Sequence, residues 1–246
     1  MEQNRFCQEI GLLNCLPPTY LFMNPSSNLF DPALKEISHY QSFPAMLPFV
    51  GQGYVLENRP KLLILGESFY LPEYSTLQLN AGEWYSSNQG LLDDEVVAWI
   101  NCRGLLECDW KSGGQRMYAE INRCLAEVDL PSLDRPVSNI CYNNTFMRPA
   151  TEGESFKHCC EEQDIVVSID TLTRVIATLK PDLVIFVSKY AWDAVGWRIA
   201  KQIASVNFDF VSHPLDPRHW NVKSYEHGRE KFISLLKKWA RKAGCD

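Results

Sequence analysis

The chain has 246 residues and a formal net charge of −6, an acidity that weighs against a broad nucleic-acid surface without excluding local Lys and Arg clusters. At 46% hydrophobic and 22% charged residues it has the make-up of a globular domain, with no apolar run of the roughly 18 residues that span a membrane. MEQNRFCQEI lacks the layout of a signal peptide, and the nine scattered cysteines form no CxxC pair, so the expectation is a cytoplasmic monomer with reduced thiols.

Residues 1 to 60 carry Pro, Ser and Asn clusters (LPPTY, NPSSN) and read as an irregular N-terminal wrap, with Asp31-Pro32 as a helix start. Pro48 to Tyr54 reads as a loop, and its Gly51-Gln52-Gly53 lacks the third glycine and the preceding strand of a dinucleotide fingerprint. Leu62, Leu63, Ile64 and Leu65 form the continuous apolar run of a strand buried on both faces, which Gly66 ends. Residues 71 to 112 are aromatic-rich and predict a long loop plus a helix at about 92 to 103, lying over the strand end. A helix is predicted near Gln115 to Glu127, a second strand within Val137 to Phe146, and a helix from Glu161 to Leu179 stopped by Pro181. Asp182 to Val187 is a third strand, Lys189 to Ala204 a helix, Val206 to Val211 a fourth strand and Lys223 to Ala243 a closing amphipathic helix. Strands alternating with helices predict one α/β domain over the whole chain, a three-layer α/β/α sandwich with a four-stranded, largely parallel sheet.

Parallel strands put their carboxyl ends on one sheet edge, where ligands bind. Polar groups follow three of them: Glu67 and Ser68, Asn143 and Asn144, and His213. These groups could converge on one ligand, and the family resemblance that their order carries implies cleavage of an N-glycosidic bond, which passes through a cation-like sugar and a departing base anion. Glu67 is suited to hold water and stabilise the cation, and His213 to donate to the anion. The Asn143 amide offers a donor and an acceptor to the edge of a base. An aromatic must stack on an extruded base, and Phe69 and Tyr70 stand next to Glu67.

Along residues 61 to 221 these features resemble, in order and spacing, the uracil-DNA glycosylase superfamily. The resemblance rests on LLILGESFY as a first motif with Gly66-Glu67, and on Asn143 followed by Arg148-Pro149. TLKPDLVIFVSKYAWDAVG and His213-Pro214 at a strand end complete it. It implies a DNA- or nucleobase-directed hydrolase, with Glu67 and His213 catalytic and Asn143, Ser68, Phe69 and Tyr70 around the base. Tyr70 matches the aromatic that blocks bulky substituents. It also implies that the loop bearing Arg218, His219, Trp220 and Lys223 wedges into the duplex, and Arg148, at the neighbouring strand end, is expected to add a phosphate contact. Two departures stand out: Ser68-Phe69-Tyr70 replaces the Pro-containing loop of the well-known branches, and Leu215 replaces the Ser that usually follows His-Pro. Branches with Gly-Glu often hold an iron–sulfur cluster through four cysteines. The spacing here does not provide for one, so no cofactor and no metal are expected.

Three rivals stay open. Ser68 with His213 resembles an SGNH-type esterase, although Phe210 occupies the place of its Asp and Tyr70 breaks the G-x-S-x-G elbow. His213, Asp216 and His219 have the ligand types of a zinc site without its usual spacing. A catalytically silent binder of nucleobases or nucleic acid could share the fold.

Overall fold

The computed structural model describes residues 25–111, 115–128, 130, 135–223 and 226–241. Asp31–Leu34 (α1) begins with Pro32 in its first turn, but Asp31 is not its cap. The Asp31 carboxylate instead takes Arg103 Nη1 and Nη2 at 3.0 and 2.5 Å, which ties the N-terminal wrap to the middle of the chain. Ser38–Ser42 (α2) follows, then Phe49–Val50 (β1), inside the stretch expected to be a loop. Leu62–Gly66 (β2) is wholly buried, as its continuous apolar run requires. Tyr70–Leu71 (β3) and Ala81–Tyr85 (α3) lead to Asp94–Ile100 (α4) and Cys102–Glu107 (α5). The single helix expected at 92 to 103 is thus two helices. Asn101 between them is extended, and its side chain caps Gly104 N–H at 3.0 Å.

Arg116–Ala126 (α6) precedes Cys141–Asn144 (β4) and Ala150–Thr151 (β5). Glu162–Leu179 (α7) opens with a Glu161–Asp164 capping box and ends at Lys180, in a left-handed conformation just before Pro181. Leu183–Phe186 (β6) is followed by Lys189–Ala191 (α8), a π-helical turn at Trp192–Gly196 and Trp197–Gln202 (α9). Asn207–Phe210 (β7) and Arg229–Arg241 (α10) complete the described elements.

The central sheet has five strands in the order β1-β4-β2-β6-β7. Four are mutually parallel, and β1 adds an antiparallel edge through Phe49–Tyr142 and Val50–Cys141 pairing, so the expected four-stranded sheet is corrected to a mixed one of five. A two-residue strand is too short to show a period, and its partner lies far along the chain. The parallel register sets Gly66 beside Asn144, Leu65 beside Phe186 and Phe186 beside Phe210, so the residues just past these strands share one edge. Alternation on β4 sends Tyr142 toward Tyr118 of α6, ring centroids 5.4 Å apart, and Asn143 the other way toward Tyr40 of α2. Helices α1, α3 and α9 pack on α7, and α10 packs on α6.

Gly66 is the last residue of β2. A Cβ there would meet Tyr142 Oη at 2.1 Å and Asn144 Oδ1 at 2.2 Å, so close approach is what demands glycine.

Candidate active site

The loop after β2 is pinned to the neighbouring chain along its length. Gly66 carbonyl accepts from Thr145 N–H (3.0 Å) and Thr145 Oγ1 (2.7 Å), and Glu67 and Phe69 carbonyls accept from Phe146 and Ala150 N–H, both at 2.9 Å. A small parallel sheet, β3 with β5, continues this ladder. The Glu67 side chain is therefore presented from a fixed backbone. Ser188, the first polar residue after β6, donates from Oγ to Glu67 Oε2 at 2.5 Å while accepting from Ala191 N–H at the start of α8.

A cavity of about 830 Å³ opens at this edge. Glu67, Ser68, Phe69 and Tyr70 form one side, and His213 and Leu215, from the loop after β7, another. Ala98 and Trp99 of α4, Leu105 of α5, and Gln115, Met117 and Tyr118 at α6 supply a mostly apolar wall, and Glu152 and Gly153 follow β5 at the rim. The helix expected to lie over the site does so through Trp99. Nothing in the residues 92 to 118, read alone, marks Tyr118, Met117 or Leu105 as wall residues, because their neighbours come from three separate helices. Ser188 was legible by the same logic that marked Glu67 and His213, since it is a polar residue straight after an apolar strand.

Burial pushes the Glu67 carboxyl above its usual range, with the Ser188 hydrogen bond opposing it. Burial pushes His213 below its usual range, against the opposing pull of Asp216. His213 Nδ1 accepts from Leu215 N–H at 3.2 Å, so the neutral ring carries its proton on Nε2. The site thus pairs a carboxyl of raised proton affinity with a neutral imidazole that can donate. Burial first, and the Glu67 carboxylate next, push the Tyr70 phenol up.

No protein-family model and no curated protein matches this chain.

Several of the residues chosen from sequence stand elsewhere. Asn143, fully buried, donates from Nδ2 to Tyr40 Oη at 2.7 Å on the face of the sheet opposite Tyr118, so it does not line the cavity. Arg148 is equally buried and donates four hydrogen bonds: Nε and Nη2 to Asp164 (2.8 and 2.5 Å), Nη1 to the Gln78 carbonyl and Nη2 to the Cys159 carbonyl, both 2.6 Å. It holds α7 to the β4–β5 segment and is not available to phosphate. Trp220 is buried, with Nε1 on Glu120 at 3.1 Å, and is no wedge. Arg218 and Lys223 are exposed, Arg218 lying 3.7 Å from Asp216, and neither lines the cavity. The aromatics that follow Glu67 divide likewise. Phe69 and Tyr70 line the cavity, whereas Trp84 stacks on Phe43 and Tyr85 binds Asp164.

The rival chemistries find little geometry. Ser68 Oγ is buried without a hydrogen-bond partner of normal length, and His213 makes no contact to it that would activate a nucleophile. Asp216 is engaged by His219 Nδ1 at 2.7 Å, and among the described residues no cluster of three or more His, Cys, Asp or Glu side chains could hold a metal ion. No helix among the described residues is long and apolar enough to cross a membrane.

Proposed function

We propose that the chain is a uracil-DNA glycosylase-like hydrolase that cleaves the N-glycosidic bond of a damaged or deaminated base in DNA with water as nucleophile. The observation that carries this reading is that Glu67 and His213, from the loops after β2 and β7, line one cavity together with Phe69 and Tyr70. In the proposal, Glu67 positions the water and takes its proton, and its charge supports the cation-like sugar. His213 Nε2–H donates to the base as the bond breaks, and Phe69 and Tyr70 lie along the extruded ring. Among the described residues no lysine lines the cavity, so borohydride should trap no adduct with the sugar. A three-layer α/β/α build belongs to the same proposal. It is supported by Tyr142 and Asn143, neighbours on one strand, meeting helices on opposite faces. So do a monomeric state and backbone contacts from the exposed Arg218 and Lys223.

One observation favours a second reading, a silent binder on the same fold. Asn143 and Arg148, the residues expected to read base and phosphate, are bound into the protein itself. Base release from oligonucleotides carrying uracil, hypoxanthine, xanthine or 7-methylguanine, by wild type and Glu67→Gln, separates the two. Release that Glu67→Gln abolishes supports the hydrolase. Release that the variant leaves unchanged discards the role of the carboxylate, and binding without release on every substrate selects the silent binder.

A further inference from the structure

We infer that the cavity takes a nucleobase bearing a fixed positive charge, of which an N7-alkylated purine is the type; this names the substrate class of the proposed hydrolase and rests on that reading. Four aromatic rings, Phe69, Tyr70, Trp99 and Tyr118, and two carboxylates, Glu67 and Glu152, line the cavity, and its described lining holds no Lys or Arg. Aromatic faces attract cations through their quadrupoles, and carboxylates add to that attraction in a partly desolvated site. The histidine in the lining carries no compensating charge, since its Nδ1 is an acceptor. A neutral pyrimidine has no use for this arrangement, and a volume of about 830 Å³ has room for a purine with its sugar.

The chemistry agrees with the residues present. When the bond from C1′ to N9 of such a purine breaks, the electron pair passes to N9 and cancels the ring's charge, so the base leaves neutral. The water oxygen bonds to C1′, and its proton goes to Glu67. A neutral leaving group needs only a hydrogen bond, which His213 Nε2–H provides, and no strong acid.

Isothermal titration at about pH 6, where 7-methylguanosine is cationic, compares it with guanosine on wild type, Glu152→Gln and Trp99→Leu. Glu152 is exposed, so its variant keeps the fold, and circular dichroism checks both variants. The cation should bind about tenfold more tightly than guanosine, and each variant should narrow that ratio severalfold. Equal affinity for the two nucleosides overturns the inference and leaves the nucleobase reading standing. Binding of neither at millimolar concentration overturns both. A preference that neither variant changes shows that the cation sits outside this cavity and also overturns the inference.

Discussion

Arg148 and Glu67 both follow strands of the central sheet and both are ionisable, yet the fold treats them in opposite ways. Arg148 donates four hydrogen bonds, two of them to Asp164 and one each to Gln78 and Cys159, and Tyr85 donates to Asp164 as well, at 2.9 Å. Glu67 accepts from Ser188 through one oxygen and faces a cavity with the rest of its capacity. Asn143 belongs with Arg148 in this respect, and His213, held by Leu215 through one nitrogen only, belongs with Glu67. A polar residue at a strand end can serve a ligand only if the protein has not already used its hydrogen bonds.

The sharpest way to test that division is Glu67→Gln, which keeps shape and removes charge. Base release should fall by about 10²–10⁴-fold. Because burial raises the folded carboxyl's proton affinity, Glu67 adds stability below its ordinary value near 4.5 and loses it as pH rises through the shifted value. Glu67→Gln should therefore melt at the same temperature or about 1–4 °C higher at neutral pH, read by calorimetry. Arg148→Met should do the reverse. Leaving Asp164 buried without its partner costs about 3–5 kcal/mol, a melting temperature lower by roughly 10 °C, with release per folded molecule little changed. His213→Ala should slow release about a hundredfold, the usual cost of one donor to a departing group, with a smaller change in melting.

The smallest effect at neutral pH concerns His39, on the Tyr40 side of the sheet. Burial pushes it from 6.5 down to about 3, among Phe43, Tyr40 and Tyr85. Its folded value is depressed, so the stability it contributes is present above 6.5 and is lost as pH falls toward 3. His39→Phe should flatten the fall of melting temperature across that window and leave release unaltered.

The parallel core was readable because a strand buried on both faces needs an unbroken apolar run, and Leu62–Leu65 and Leu183–Phe186 supply it. Glu67 was readable because a polar group directly after such a run falls on the ligand edge, and His213 because it follows the end of the alternating strand β7 on the same edge. What stayed hidden depends on pairing across the chain. β1 and the β3–β5 ladder are two residues long and acquire meaning only from distant partners. Asp164, which claims Arg148, lies in the first turn of a helix, where a carboxylate reads as an ordinary cap. Asn143 and Asn144 are adjacent, so alternation sends one to each face. Tyr142 beside Tyr118 and Asn143 against Tyr40 decide which, and no local pattern records it.

The most direct test sets Asn143→Ala beside Glu67→Gln, measuring single-turnover base release per folded molecule and melting temperature for each. The account predicts that Glu67→Gln loses release and keeps its melting temperature. It predicts that Asn143→Ala, which strands the Tyr40 hydroxyl, loses about 1–3 kcal/mol of stability and keeps its release. Loss of release in Asn143→Ala at an unchanged melting temperature, with Glu67→Gln still active, would contradict it.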